Sequence, residues 1–165
     1  FGGCFCAVWT AHGDDWVKRC EDPGRPNLSE TVRRVRAGEH VGYLVREDGE
    51  RVAWTGSGPK TGFPLLEQKL GSRLSPMSRG VWSVGCVAIG AQHRGGGLSA
   101  RIVEAVVEEA RKSGAEAVEA YPTRPWDEAR SYRGALSTYE RLGFRLVAAE
   151  PDGASEILLM RLDLR

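Results

Sequence analysis

The stretch between residues 81 and 113 limits what this chain can become more than any other. Val81-Trp-Ser-Val-Gly-Cys-Val-Ala-Ile89 is apolar at odd and even positions alike, a pattern suited to a strand whose sheet is covered on both faces. Gly90-Ala-Gln-His-Arg94-Gly95-Gly96-Gly97 follows directly. Leu98, Ile102, Val103, Val106, Val107 and Ala110 then recur at helical spacing, with Arg101, Glu104, Glu108 and Arg111 on the other side. The periodicity predicts an amphipathic helix from about 97 to 113, stopped at Gly114. A buried strand that hands over to a helix through three consecutive glycines implies a layered α/β fold, with the chemistry at the junction.

The flanking segments fit that layout. Residues 4–10 are rich in β-formers and read as a first strand, with Cys4 and Cys6 on one face. Asn27-Leu-Ser-Glu30 offers a helix start, and that helix runs to Arg36 before Gly38. Apolar runs at 41–45 and 52–55 flank Asp48-Gly49, the signal of a tight antiparallel hairpin. Residues 56–80 form a long connection around a short amphipathic piece at 65–70, of the kind that often serves as a functional lid. A strand at 115–121, a polar loop at 122–130 containing Trp126, a helix at 131–142 closed by Gly143, and strands at 144–148 and 157–162 complete the order. With 165 residues the chain suits one domain spanning 1–165 with a mixed sheet.

Charge and cysteine content narrow the partners. Twenty-three basic and twenty-two acidic residues leave a net charge of +1, too balanced to gather nucleic acid or anionic lipid by bulk electrostatics. No apolar run approaches the roughly 20 residues that cross a bilayer, so no membrane contact is expected. The opening Phe1-Gly2-Gly3 lacks the basic-then-apolar order of a signal peptide, and without a Met it implies a short missing N-terminal piece. Cytoplasmic location with reduced thiols is the expectation. Cys4, Cys6 and Cys20 with His12 match no common zinc spacing, so no metal is assigned. Arg33, Arg34 and Arg36 form a basic cluster, read either as a solvated helix face or as a contact for an anionic substrate or RNA.

The glycine loop itself indicates an anion site. Amides without partners at a helix start, the positive end of the helix dipole and the Arg94 fork all suit a pyrophosphate. No Gly-Lys-Ser/Thr follows, and Gly-x-Gly-x-x-Gly is absent, so neither a Walker loop nor a dinucleotide fingerprint is present. A merely flexible turn is the bland alternative.

Arg94-Gly95-Gly96-Gly97-Leu98-Ser99 resembles the Arg/Gln-x-x-Gly-x-Gly/Ala motif of the GNAT superfamily of acyl-coenzyme A-dependent N-acyltransferases, with Ser99 in the last small position. Gln92-x-x-Gly95-x-Gly97 is a second register; the first places Leu98, Ile102 and Val103 where the family's helix buries its apolar face. Tyr139-Glu-Arg-Leu-Gly-Phe144 is similar to the Tyr-x-x-x-Gly-Phe ending of the family's second conserved helix, with Ala135 at its usual small position. Tyr132 stands where the family often has an Asn at the coenzyme. The opening Cys4-x-Cys6-x-x-Trp9 resembles a less characterised subgroup.

The resemblance implies a GNAT-like fold: a mostly antiparallel mixed sheet flanked by helices, with a splayed coenzyme-binding strand. It implies acetyl-CoA as co-substrate, contacting Val87, Ala88 and Ile89 on the strand, Arg94, Gly95, Gly96, Gly97, Leu98 and Ser99 in the cradle, and Tyr132. Tyr139 resembles the family's general acid. Glu119, in Val118-Glu119-Ala120, sits like the base of some N-terminal acetyltransferases, with a water relay or an already neutral amine as the alternative; His93, His12 and His40 are further titratable candidates. The implied acceptor is a small-molecule or peptide amine, attacked directly in a ternary complex, and a homodimer is left open. Trp54, Trp82, Tyr43 and Trp126 are candidates for an acceptor pocket or for core packing. The other readings are a non-catalytic module that binds coenzyme A, a protein or tRNA, and acyl transfer from aminoacyl-tRNA.

Overall fold

The computed structural model describes residues 3–5, 7–10, 16–39, 42–70, 76–126 and 128–164. Strands β1 (Tyr43–Glu47) and β2 (Glu50–Pro59) form the expected hairpin. Asp48 (φ 48°) and Gly49 (φ 85°) both turn through the left-handed region, and Glu47 stands opposite Glu50, the two-residue turn whose twist matches paired strands.

β3 (Val81–Ile89) lies antiparallel to β2 and is the covered central strand that its apolar pattern predicted. α4 (Leu98–Lys112) carries the chain across to β4 (Ala117–Ala120), which runs parallel to β3. β7 (Ser155–Asp163) pairs antiparallel with β4, and the short β5 (Thr123–Arg124) continues along the same edge of β7. β6 (Arg145–Asp152) takes the other edge of β7. The result is one seven-stranded mixed sheet in which β3 and β4 are the parallel pair among the described residues.

Two apolar layers cover this sheet. On one face α4 buries Leu98, Ile102, Val103, Val106, Val107 and Ala110 against Trp82, Val84, Val87, Val118, Leu158 and Met160; the larger of these side chains each contribute on the order of 1.5–3 kcal/mol. Tyr139, on α5 (Leu136–Arg141), and Phe144 close the same cluster. On the opposite face Val8, Trp9, Phe63, Leu66, Tyr121, Ile157 and Leu159 form a second cluster. A single 3₁₀ turn at Ala7–Trp9 lies there, touched by α2 (Pro26–Arg36) and α3 (Leu65–Leu70), with α1 (Trp16–Glu21) beside α2. No helix among the described residues is long and apolar enough to cross a membrane.

Three expectations are corrected. Residues 4–10 do not form a strand: Phe5 turns at φ 44°, the Ala7 amide donates to the Cys4 carbonyl, and Trp9 rotates inward to the sheet. Cys6, like His12 and His40, lies outside the described residues. β2 extends four residues past Thr55, because Gly56 to Pro59 continue to pair with β3 across a bulge that skips Gly85. The helix expected at 131–142 starts only at Leu136, since Gly134 at φ 80° interrupts it after a 3₁₀ stretch at Glu128–Arg133.

Candidate active site

The parallel pairing of β3 with β4 stops at Val84 and Ala120, while β3 runs on to Ile89. β4 ends because Tyr121 and Pro122 carry the chain on to β5. The two strands therefore part company at Gly85, and the far edge of β3 faces a groove of about 550 Å³. That volume falls within the roughly 300–1,000 Å³ typical of small-molecule sites. Val87, Ala88 and Ile89 form one wall. Tyr132, Gly134, Ala135 and Thr138 form the facing wall.

Arg94, Gly95, Gly97, Leu98 and Ser99 close the end of the groove at the start of α4. Gly97 precedes the helix at φ 78° and Gly95 turns at φ 83°. A Cβ built on either would meet nothing within 4 Å, so the glycines are required by their backbone angles and leave the loop surface open. The amides of Ala100 and Arg101 donate back to the Gly97 carbonyl. Those of Leu98 and Ser99 lie in the first turn, where a helix offers no internal acceptor. Arg94 turns its Nε to the Ile89 carbonyl at 3.1 Å. Backbone amides, helix dipole and guanidinium thus converge on one exposed concavity, which fits a diphosphate. Nine of the ten expected coenzyme contacts line this groove and Gly96 does not. His93, Trp126, Ser131 and Arg141 also line it. Trp126 is thereby placed at this groove, whereas Trp82 belongs to the core.

Tyr139 is fully buried and its hydroxyl donates to the Arg133 carbonyl at 2.7 Å. Burial pushes the phenol above its ordinary value, with the neighbouring Cys86 adding to the effect. As placed, the hydroxyl lies behind the groove wall formed by Gly134 and Ala135.

Glu119 also lies outside the groove. It points to the opposite face of the sheet, where Oε2 accepts from Lys60 Nζ at 2.7 Å and from the Tyr121 hydroxyl at 3.1 Å, and Oε1 accepts from Arg161 at 3.1 Å. Lys60 is completely buried. Tyr121 continues the chain to Ser83 at 2.9 Å, one residue before the strands separate. Sequence reasoning found Glu119 and missed Lys60, because a lysine between Pro59 and Thr61 in an apparent loop reads as solvated.

The underside of the splay is filled from the start of the chain. Trp9 donates its indole N–H to the Gly85 carbonyl at 3.0 Å. The contact needs glycine, because a Cβ there would stand 2.7 Å from the indole nitrogen and 2.9 Å from the Gly56 carbonyl. Arg133, 8% exposed, lays its guanidinium 5.5 Å from the Trp9 ring centre and 5.7 Å from that of Tyr132. In the basic cluster of α2, exposed Arg33 pairs with Glu30 and Glu39, Arg36 is exposed, and the largely buried Arg34 pairs with Glu39 and donates to the Gly62 carbonyl.

Against known proteins, residues 6–144 match the model of the acetyltransferase (GNAT) family. The chain belongs to that family, whose members are acetyltransferases. No curated protein matches it. Among solved structures it is similar to a GNAT-family protein from Desulfovibrio desulfuricans at 18% identity and TM-score 0.59, covering 87% of this chain and 83% of that one. Ribosomal-protein-alanine N-acetyltransferase from Brucella melitensis aligns at 18% identity and TM-score 0.54, over 96% of this chain and 84% of its own. The yncA protein of Salmonella typhimurium, solved with its cofactor acetyl-CoA, aligns at 19% identity and TM-score 0.54, over 96% and 79% of the two chains.

Proposed function

We propose that residues 1–165 act as one domain that transfers an acetyl group from acetyl-CoA to a primary amine by direct attack in a ternary complex. The observation that carries this reading is the splay at Gly85, which leaves an unpaired strand edge running into the glycine cradle at the head of α4. Bound there, the thioester supplies an electrophilic carbonyl carbon. Gly95 to Ser99 and Arg94 hold the diphosphate through amides, dipole and charge. Val87 to Ile89 offer main-chain groups to the pantetheine arm as a neighbouring strand would, and a backbone N–H near Val87 or Ala88 faces the developing oxyanion.

Tyr139 protonates the departing thiolate, which requires its hydroxyl to leave the Arg133 carbonyl and turn past Gly134. Glu119, bound by two cations, serves the acceptor side through Tyr121 and Ser83 rather than by direct contact with the groove. A small molecule or a peptide can supply the amine, and the reaction belongs in the cytoplasm.

Calorimetric titration with acetyl-CoA and thioester consumption over a panel of amines test the proposal together. Binding with acceptor-dependent release of free thiol is the expected result. Tight binding without turnover across a broad panel, unaffected by Tyr139→Phe, would reassign the domain as a binding module.

A further inference from the structure

Resting on the acetyltransferase reading, we infer that Arg133 recognises a carboxylate carried by the acceptor, so that the substrates are amines with a nearby acid group: amino acids, or short peptides through their C-terminus. The buried charged residues among those described are Lys60, Glu119 and Arg133. Glu119 is already claimed by Lys60 at 2.7 Å and by Arg161 at 3.1 Å. Among the described residues the Arg133 guanidinium pairs with no carboxylate, and its Nη1 is buried without a hydrogen-bond partner.

A buried cation left in this state is costly, and an unmet charged donor is among the less tolerated features of a folded interior. The surroundings stabilise the charge without satisfying its edge. Trp9 and Tyr132 offer π faces to the guanidinium, and Nε donates to the Tyr132 hydroxyl at 3.3 Å. An in-plane donor flanked by aromatic rings is prepared for one planar, singly charged oxygen acid. A phosphate would need more donors, and the cluster of amides suited to it lies elsewhere, at Gly95 to Ser99.

Position supports the assignment. The Arg133 carbonyl holds the Tyr139 hydroxyl, and the adjacent Tyr132 and Gly134 line the coenzyme groove. The side chain instead reaches Trp9, which is bonded to Gly85 at the first unpaired residue of β3. The guanidinium thus sits under the splay on the face away from α4, across the strand gap from the groove proposed to take the thioester. Trp9 covers the guanidinium from a single 3₁₀ turn outside the sheet, and its displacement is the step that access to Nη1 requires.

The test is a kinetic comparison of amino acids and dipeptides with their C-terminal amides, each as acceptor for acetyl-CoA. The acids are expected to exceed their amide twins at least tenfold in kcat/KM. Arg133→Gln brings the ratio toward unity by raising KM for the acids, and Arg133→Lys, which keeps the charge without the planar fork, retains part of the preference. Equal use of both twins by the unaltered protein, a ratio that survives Arg133→Gln, or no acetylation of any acid would overturn the assignment. If Arg133→Gln does not fold, the ratio measured on the unaltered protein and on Arg133→Lys decides. Failure of the acetyltransferase reading itself shows separately, as absent acetyl-CoA binding by calorimetry.

Discussion

Tyr139 reaches across Gly134 to place its hydroxyl 2.7 Å from the Arg133 carbonyl, and the glycine between them makes the approach possible. A Cβ at Gly134 would stand 2.6 Å from that hydroxyl, in a backbone conformation of φ 80° that other residues avoid. The groove wall and the proposed acid are therefore built as one unit.

Tyr139→Phe separates the two roles of that hydroxyl. Leaving the Arg133 carbonyl unsatisfied in the interior should cost about 1–3 kcal/mol in urea unfolding. Loss of the acid should lower kcat about 10²-fold or more with little change in the KM for acetyl-CoA. An unchanged kcat would remove Tyr139 from the reaction.

The same phenol sets an alkaline limit on stability. Its folded value is raised by burial, while in the unfolded chain it ionises near pH 10. The stabilisation is fully present below about pH 10 and is lost as the pH rises beyond it. Urea midpoints taken from pH 8 to 11 should fall above pH 10 in the unaltered protein, and fall less steeply in Tyr139→Phe.

Gly134→Ala is expected to destabilise by roughly 2 kcal/mol or more, from contact and backbone strain together. Combined with Tyr139→Phe it should cost less than the sum of the single changes, since the nearest clashing atom is gone. Strict additivity in thermal unfolding would mean that the wall does not depend on this contact.

A Cβ at Gly97 would meet no neighbour, so the cost of Gly97→Val comes chiefly from φ 78°, about 1–2 kcal/mol or more for a β-branched side chain. Reorienting the first amides of α4 should raise the KM for acetyl-CoA several-fold while leaving kcat nearly intact. Unaltered coenzyme affinity in calorimetry would argue against the cradle at Arg94 to Ser99.

Lys60→Met or Glu119→Gln alone strands a buried charge and should cost about 3–5 kcal/mol. Lys60→Met with Glu119→Leu should recover part of that loss, because the buried lysine is no longer stranded, while Arg161 keeps Asp163 and Tyr121 keeps Ser83. Residual turnover in the double variant measures how far Glu119 contributes to chemistry beyond holding the sheet together.

Much of the architecture was legible because it rests on local rules. The β3 run, the α4 periodicity and Asp48-Gly49 each specify their own conformation, and the structure follows them closely. The loop proposed as the cradle was legible for the same reason: its shape lies in backbone angles that glycine announces. What stayed hidden depends on distant partners. Trp9 reads as strand because Cys, Phe, Val and Trp favour extended backbone, yet its indole is drawn inward by a carbonyl 76 residues away. Lys60 and Arg133 look like surface cations until the second face of the sheet closes over them. The break at Gly134 was masked by good helix formers downstream of it.

The bond between Trp9 and Gly85 ties the first turn of the chain to the middle of its central strand. Deleting the first ten residues would thus do more than shorten a tail: it would strip the cover from a strand carbonyl and a buried cation at once, letting water in beneath the gap between β3 and β4.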